Sequence, residues 1–164
     1  MKAQWGKVIN GVMSWLKDIE NDNVLVSIFT YDTAPTLGEL YSTPSELSSK
    51  LMGSIEAKGS SDVAVAAGLD GFVEVMEAGK SGRKDMSGWL QYGFLMTLQD
   101  SAFPKESIEK LKNYSQTKGV EFFFNAVTQI RNTFDFNDVV KSLGGVHYSI
   151  GRKSDYGKII PEAL

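Results

Sequence analysis

The chain has 164 residues, of which 42% are hydrophobic and 23% are charged, a composition typical of a single globular domain. The formal net charge of -3 argues against a broad surface for nucleic acid or acidic membranes, because either would require clustered Lys and Arg. The chain contains no cysteine, which excludes disulfides, thiolate metal sites and a cysteine nucleophile.

The sequence shows no pattern that directs a protein into or across a membrane. No apolar run approaches the roughly 20 residues of a membrane-spanning helix. Polar residues interrupt the apolar ones after Trp5, unlike in a signal peptide. We therefore expect a protein without a membrane span and with an intracellular, cytoplasmic location.

Apolar residues follow two patterns along the chain. In some segments they recur at the spacing of a helix, and in others they form short runs rich in β-branched residues. Such runs are typical of strands buried on both faces of a parallel sheet. Segment 34–41 differs, because it follows segment 24–31 closely and contains Pro35 and Gly38, which favour an antiparallel edge strand. In chain order, the sequence predicts a helix at 5–19, strands at 24–31 and 34–41, helices at 44–55 and 63–79, a strand at 89–98, a helix at 103–118, a strand at 120–127, a helix at 135–143 and a strand at 146–150.

Strands separated by single helices indicate βαβ units. We therefore predict an α/β fold with a doubly wound, mostly parallel central sheet, helices on both faces and one antiparallel edge strand. Residues 1–152 are expected to form this domain, and residues 153–164 a C-terminal tail or short helix. In such sheets, ligands bind at the carboxyl ends of the strands. Here those ends lead into loops 31–34, 98–103 and 128–134, next to the helix-opening loop 59–62.

Three segments resemble a von Willebrand factor A domain. Segment 5–16 is similar to that family's first helix, and segment 24–33 to its second strand and the turn after it. The sequence Gly59-Ser60-Ser61-Asp62, followed by the small residues of 64–69, resembles the family's Gly-Gly-Thr-Asp loop and the helix behind it. The resemblance spans nearly the whole chain and implies a Rossmann-like fold that binds a protein partner.

The family's first strand, which carries an Asp-x-Ser-x-Ser metal motif, has no counterpart here. The chain opens at Met1 where the family would be leaving that motif, so the resemblance implies that Met1 is an internal methionine. In the family this strand lies in the middle of the sheet, and its loss would leave two unpaired edges. The resemblance therefore predicts a domain that is incomplete, or that is completed by strand complementation from a partner or by oligomerisation.

The resemblance also implies two candidate metal ligands. Ser61 takes the place of the Thr in the family's second metal loop. The family's third metal loop carries the motif Thr-Asp-Gly, and two alignments with it stay open. In the first, Gln99-Asp100-Ser101 takes the place of the motif, and the acidic ligand is kept as Asp100. In the second, Leu98-Gln99 takes the place of Asp-Gly, and the acidic ligand is lost. Because a hard dication takes about six oxygen ligands, we expect a degenerate metal site and no bound cofactor. Mg²⁺ would bind only if the first strand were restored.

Each candidate residue also has a simpler interpretation. Ser60, Ser61 or Asp62 could cap the following helix, and Asp100 could be a solvated loop acid. Asp32, at the end of its predicted strand, is a candidate for the partner-binding face together with Ser60, Ser61 and Asp100. Turn chemistry explains Asp32 equally well.

Three functional hypotheses follow. The sequence favours a protein-binding or scaffold module that needs no metal, as a subunit of a larger assembly. The alternative is a divalent-cation-dependent adhesion module of the MIDAS type, in which a partner carboxylate completes the coordination of Mg²⁺ by Ser61 and Asp100. An enzyme is disfavoured, because the sequence has no phosphate-binding loop and no nucleophile elbow. His147, the single histidine, is expected to be packed or at a strand edge.

Overall fold

The computed structural model describes residues 5–54, 65–82, 91–97, 105–118, 122–128, 134–149 and 155–164. These residues form a mixed fold of helices and short strands. None of the helices in these ranges is long and apolar enough to cross a membrane. The elements in chain order are α1 (Trp5–Asp18), β1 (Phe29–Tyr31), β2 (Pro35–Leu37), α2 (Pro44–Ser54), α3 (Val65–Gly82), β3 (Gln91–Thr97), α4 (Lys105–Lys118), β4 (Phe122–Thr128), α5 (Phe134–Ser142), β5 (His147–Ser149) and α6 (Tyr156–Ala163).

The described strands form two separate sheets. β3, β4 and β5 lie side by side in that order in a parallel sheet, with Gln91 opposite Phe122 and Ala126 opposite His147. α4 lies between β3 and β4 in the chain, and α5 lies between β4 and β5. These helices belong to crossover connections, which adjacent parallel strands require. β1 and β2 form an antiparallel pair in which Thr30 lies opposite Thr36.

The structure has the predicted combination of helices and strands. The antiparallel strand predicted at 34–41 is present but shorter, over Pro35–Leu37. The structure does not show the predicted single doubly wound sheet, because no described ladder joins β1 to β3. The prediction for segment 24–31 was wrong in part: only Phe29–Tyr31 is a strand, and Val24 is exposed. The chain turns back after Tyr31, and Val26 also pairs antiparallel with Ser42. A hairpin of this kind need not be buried on both faces.

Side chains of β3 alternate between two apolar clusters, as the period of a strand requires. Phe94 and Met96 pack against a cluster built from α1 and α6. Leu95 points to the other side, so helices cover both faces of β3. The buried residues that share its cluster are Leu69, Phe72, Met76, Ile108, Leu111, Tyr114, Val140 and Leu143.

The last described residues form a helix, which is one of the two alternatives predicted for them. The carboxylate of Asp155 caps α6 by accepting a hydrogen bond from the amide of Gly157 at 3.1 Å. Ile160 of α6 is fully buried and packs against α1 at the position of Gly11. A Cβ atom at Gly11 would lie 2.8 Å from the carbonyl oxygen of Tyr156. This glycine therefore allows the two helices to approach closely.

Candidate partner-binding site

The structure describes one of the four residues predicted for the partner-binding face. Asp32 follows β1, whereas Ser60, Ser61 and Asp100 lie outside the described residues. The metal roles predicted for Ser61 and Asp100, and the helix-cap interpretation, therefore stay predictions. Within the described ranges, no group of three or more His, Asp or Glu side chains is placed to hold a metal ion.

Asp32 shapes the turn between β1 and β2. Its Oδ1 atom accepts hydrogen bonds from the backbone amides of Thr33 at 2.6 Å and Ala34 at 3.4 Å. Aspartate commonly stabilises turns in this way, because its short side chain reaches the amides of the next two residues. These two contacts support the turn interpretation of Asp32.

Tyr31, the residue before this turn, connects the two sheets. Its hydroxyl donates a hydrogen bond of 3.1 Å to the backbone carbonyl oxygen of Met96. The pKa of Tyr31 is raised to about 12. Burial is the main cause, and a side-chain hydrogen bond with Thr97 has a smaller effect in the opposite direction. Thr97 is itself buried, with 1% of its surface exposed. No pattern in the sequence distinguishes Tyr31 from the other aromatic residues of the strands, so this contact could not be predicted from the sequence.

The backbone of β1 presents its polar groups alternately to β2 and to the opposite side. The amide of Ile28 donates to the carbonyl oxygen of Glu39 at 2.8 Å, and the amide of Gly38 donates to the carbonyl oxygen of Ile28 at 2.9 Å. The even-numbered residues of this segment therefore face β2. The N–H and C=O groups of Phe29 and Tyr31 point away from β2.

β3 pairs with β4 along one edge only, as far as the described residues extend. The carbonyl oxygen of Met96 accepts a hydrogen bond from the side-chain hydroxyl of Tyr31, and we infer from this contact that the backbone of Met96 is directed toward β1. By the alternation of strand backbones, Phe94 points the same way. No described backbone hydrogen bond joins β1 to β3. We call the space between Phe29 and Tyr31 on one side and Phe94 and Met96 on the other the inter-sheet slot.

α3 covers one face of the inter-sheet slot. The ring of Phe29 meets the ring of Phe72 edge-on, with ring centres 5.2 Å apart. A Cβ atom at Gly68 would lie 2.7 Å from Cδ1 of Leu95 and 3.0 Å from Cζ of Tyr31. The absence of a side chain at position 68 therefore lets α3 lie against β1 and β3 at the same time.

α1 covers the opposite face. Val12 packs against two apolar clusters, one that contacts Phe94 and Met96 and another that contacts Val26 and Ile28. The same helix thus reaches over both sides of the slot. Polar backbone groups line the edges of the slot and apolar side chains line its faces. This is the environment of an interior strand of a sheet, and no described strand occupies it.

His147 lies on β5, away from the inter-sheet slot. Its Nδ1 atom is 2.8 Å from Oδ1 of Asn137 on α5, so an amide group holds the ring. Burial lowers the pKa of the imidazole. The half-buried position agrees with the expectation of a packed strand residue.

No protein-family model matches the chain, and no curated protein matches it in sequence. Among solved structures, the chain is similar to an aerotolerance-related membrane protein from Bacteroides fragilis that carries multiple mutations to serine. The TM-score is 0.60 and the sequence identity 10%, and the match covers 96% of this chain and 86% of that chain. At this identity, the likeness shows that the two chains share an overall fold and nothing further.

Proposed function

We propose that this chain is a protein-binding module of the von Willebrand factor A type, which acts as a subunit or scaffold of a larger assembly without a bound metal ion. The observation that carries the proposal is the inter-sheet slot. Within the described residues, β1 and β3 face each other there without a backbone hydrogen bond. Open strand edges favour pairing with another polypeptide, and many protein modules bind their partners in this way.

Affinity capture with the 164-residue chain as bait, in extracts of its source cells, tests the proposal. The capture is run with millimolar Mg²⁺ and with EDTA, and thermal unfolding of the chain is measured under the same two conditions. We expect a protein partner that stays bound in EDTA and an unfolding temperature that Mg²⁺ leaves unchanged. Failure to capture any protein under either condition would overturn the proposal.

Three variants separate metal-independent binding from the MIDAS-type alternative. Ser61→Ala and Asp100→Ala remove the two candidate ligands, and Ser14→Ala removes an exposed hydroxyl on α1 as the matched control. We expect all three to behave like the wild type. If Mg²⁺ is required for capture, and Ser61→Ala and Asp100→Ala abolish capture while Ser14→Ala does not, the module is cation-dependent and the metal-free proposal is wrong.

A further inference from the structure

A groove lies at the surface of the molecule where α1 packs beside α2. Met13, Leu16 and Lys17 line it on the α1 side, and Ser45 and Ser48 line it on the α2 side. We call this space the α1–α2 groove. Its volume of about 540 Å³ is within the range of sites that bind small molecules. None of these residues belongs to the inter-sheet slot, so the groove is a separate feature of the fold.

Packing beneath the groove holds the two helices in place. Leu16 of α1 and Leu47 of α2 are each 1% exposed and belong to one apolar cluster. Thr43 and Glu46 form a capping box at the start of α2, in which the amide of Thr43 donates a hydrogen bond of 3.0 Å to the Glu46 carboxylate. The groove is therefore formed before any ligand arrives.

Two charged side chains of opposite sign line one end of the groove. Lys17 is in the last turn of α1, and Glu20 follows it, with its amide donating to the carbonyl oxygen of Lys17 at 3.4 Å. Both residues are exposed. Within the described part of the chain, neither side chain forms an ion pair or a hydrogen bond. An ammonium group and a carboxylate are therefore available, side by side, to a ligand that carries both charges.

We propose that the α1–α2 groove binds a free α-amino acid with an unbranched apolar side chain. The α-carboxylate of the ligand accepts a hydrogen bond from the ammonium group of Lys17, and its α-ammonium group donates to the carboxylate of Glu20. The ligand thus bridges two side chains that form no ion pair with each other. Because charge-assisted hydrogen bonds are stronger than neutral ones, the two charges favour a zwitterion over a molecule with one charge or none.

The rest of the groove matches the rest of such a ligand. Met13 is half-buried and Leu16 is buried, so together they form an apolar floor for an aliphatic side chain. Methionine is flexible and adapts its shape to an apolar neighbour. On the α2 side, Ser45 is exposed and its hydroxyl offers a further hydrogen-bonding group. The inference goes beyond the proposed protein-binding function and does not depend on it.

An NMR titration of the chain with L-norleucine tests the proposal. The backbone amides of Met13, Lys17 and Ser48 report on the groove, and the amide of Leu95 in β3 is the internal reference. We expect saturable shifts at the three groove amides and none at Leu95. Because both charges are exposed to water, the dissociation constant should be about 1 to 10 mM. Norleucine that shifts no groove amide would overturn the proposal.

Two analogues of norleucine are matched ligand controls. N-acetyl-norleucine lacks the ammonium charge, and norleucine amide lacks the carboxylate charge. Each should bind about two- to fivefold more weakly than norleucine, the value of one exposed ion pair. If either analogue binds as tightly as norleucine, the groove does not recognise a zwitterion and the proposal is wrong.

Charge variants of the protein locate the site. Lys17→Glu and Glu20→Lys each leave two like charges at the end of the groove and should weaken binding of norleucine. The double variant again carries one charge of each sign, so norleucine binds in the reverse orientation and regains an affinity within about threefold of the wild type. Lys7→Glu and Glu109→Lys change exposed residues outside the groove and should leave binding unchanged. Thermal unfolding checks that every variant is folded.

The remaining outcomes also decide the question. A double variant that is folded and binds no better than the single variants would contradict the bridging geometry. A tripeptide blocked at both ends that binds as tightly as norleucine would show that the groove takes peptide backbone, and the proposal of a free amino acid would be overturned. None of these results changes the affinity capture of a protein partner, so the failure of one proposal is distinguishable from the failure of the other.

Discussion

The hydroxyl of Tyr31, at the end of β1, donates a hydrogen bond of 3.1 Å to the backbone carbonyl oxygen of Met96 in β3. In the described part of the chain, this side-chain contact joins the two sheets where a single sheet would have a backbone ladder. The bond therefore stabilises the contact between the end of β1 and the edge of β3.

Replacing Tyr31 by phenylalanine should destabilise the chain. The substitution leaves the carbonyl oxygen of Met96 without its donor, so we expect the free energy of unfolding to fall by about 1 kcal/mol. Urea denaturation measures this change. Tyr92→Phe is the matched control, because 69% of Tyr92 is exposed. The loss of its hydroxyl should change the free energy of unfolding by less than about 0.5 kcal/mol. Equal effects of the two substitutions would contradict a special role for Tyr31.

The same hydroxyl should make the fold sensitive to alkali. The pKa of Tyr31 is about 12 in the fold and about 10 in an unfolded chain. Between these values the unfolded chain releases the phenolic proton while the folded chain keeps it. Stability that is fully present below pH 10 is thus lost as the pH rises toward 12, by roughly 2 to 3 kcal/mol. Urea denaturation at several pH values should show a smaller loss for Tyr31→Phe, and parallel curves for the two proteins would refute the assignment.

Two glycines of α1 should respond to alanine with opposite signs. A Cβ atom at Gly11 would lie 2.8 Å from the Tyr156 carbonyl oxygen and 3.1 Å from Cβ of Ile160, whereas at Gly6 it would meet nothing within 4 Å. Gly11→Ala should therefore cost about 1 to 3 kcal/mol by forcing α1 and α6 apart. Gly6→Ala should stabilise the helix by up to about 1 kcal/mol. Thermal unfolding of both variants checks this, and a destabilised Gly6→Ala with a neutral Gly11→Ala would contradict the packing of α6.

His147 should weaken the fold in mild acid. Burial lowers the pKa of its imidazole, so the unfolded chain takes up a proton first as the pH falls below about 6.5. The free energy of unfolding should then decrease until the pH reaches the lower pKa of the folded state. An NMR titration of the ring measures this pKa directly. His147→Gln should remove this part of the pH dependence, and a ring pKa at or above 6.5 would show that the inferred direction is wrong.

Local periodicity was sufficient to predict most of the elements. The apolar stripe of α1 and the runs that form β3 and β4 have clear spacings, and such patterns depend only on which side of each element is buried. The end of α4 is marked by Gly119, and the antiparallel strand β2 by Pro35 and Gly38. Each of these signals arises from residues close together in the chain.

What periodicity could not predict depends on contacts between distant segments. The hydrogen bond between Tyr31 and Met96 spans 65 residues, and no local pattern encodes it. The run at 24–31 is apolar enough for a buried parallel strand, yet the turn at Asp32 pairs it with β2 instead. The same limit applies to the candidate site. The sequence indicates candidate residues by the chemistry of their side chains, whereas backbone groups line the edges of the inter-sheet slot.

The most direct test of an open inter-sheet slot is amide hydrogen exchange of the isolated chain, measured by NMR without any peptide or partner. We predict that the amides of Phe94 and Met96, which we infer to face the slot, exchange much faster than the amide of Leu95, which we infer to face β4. On β1, the amides of Phe29 and Tyr31 should likewise exchange faster than that of Thr30. Protection of Phe94 and Met96 equal to that of Leu95 would mean that the edge of β3 is already paired, and the slot would not be a binding site.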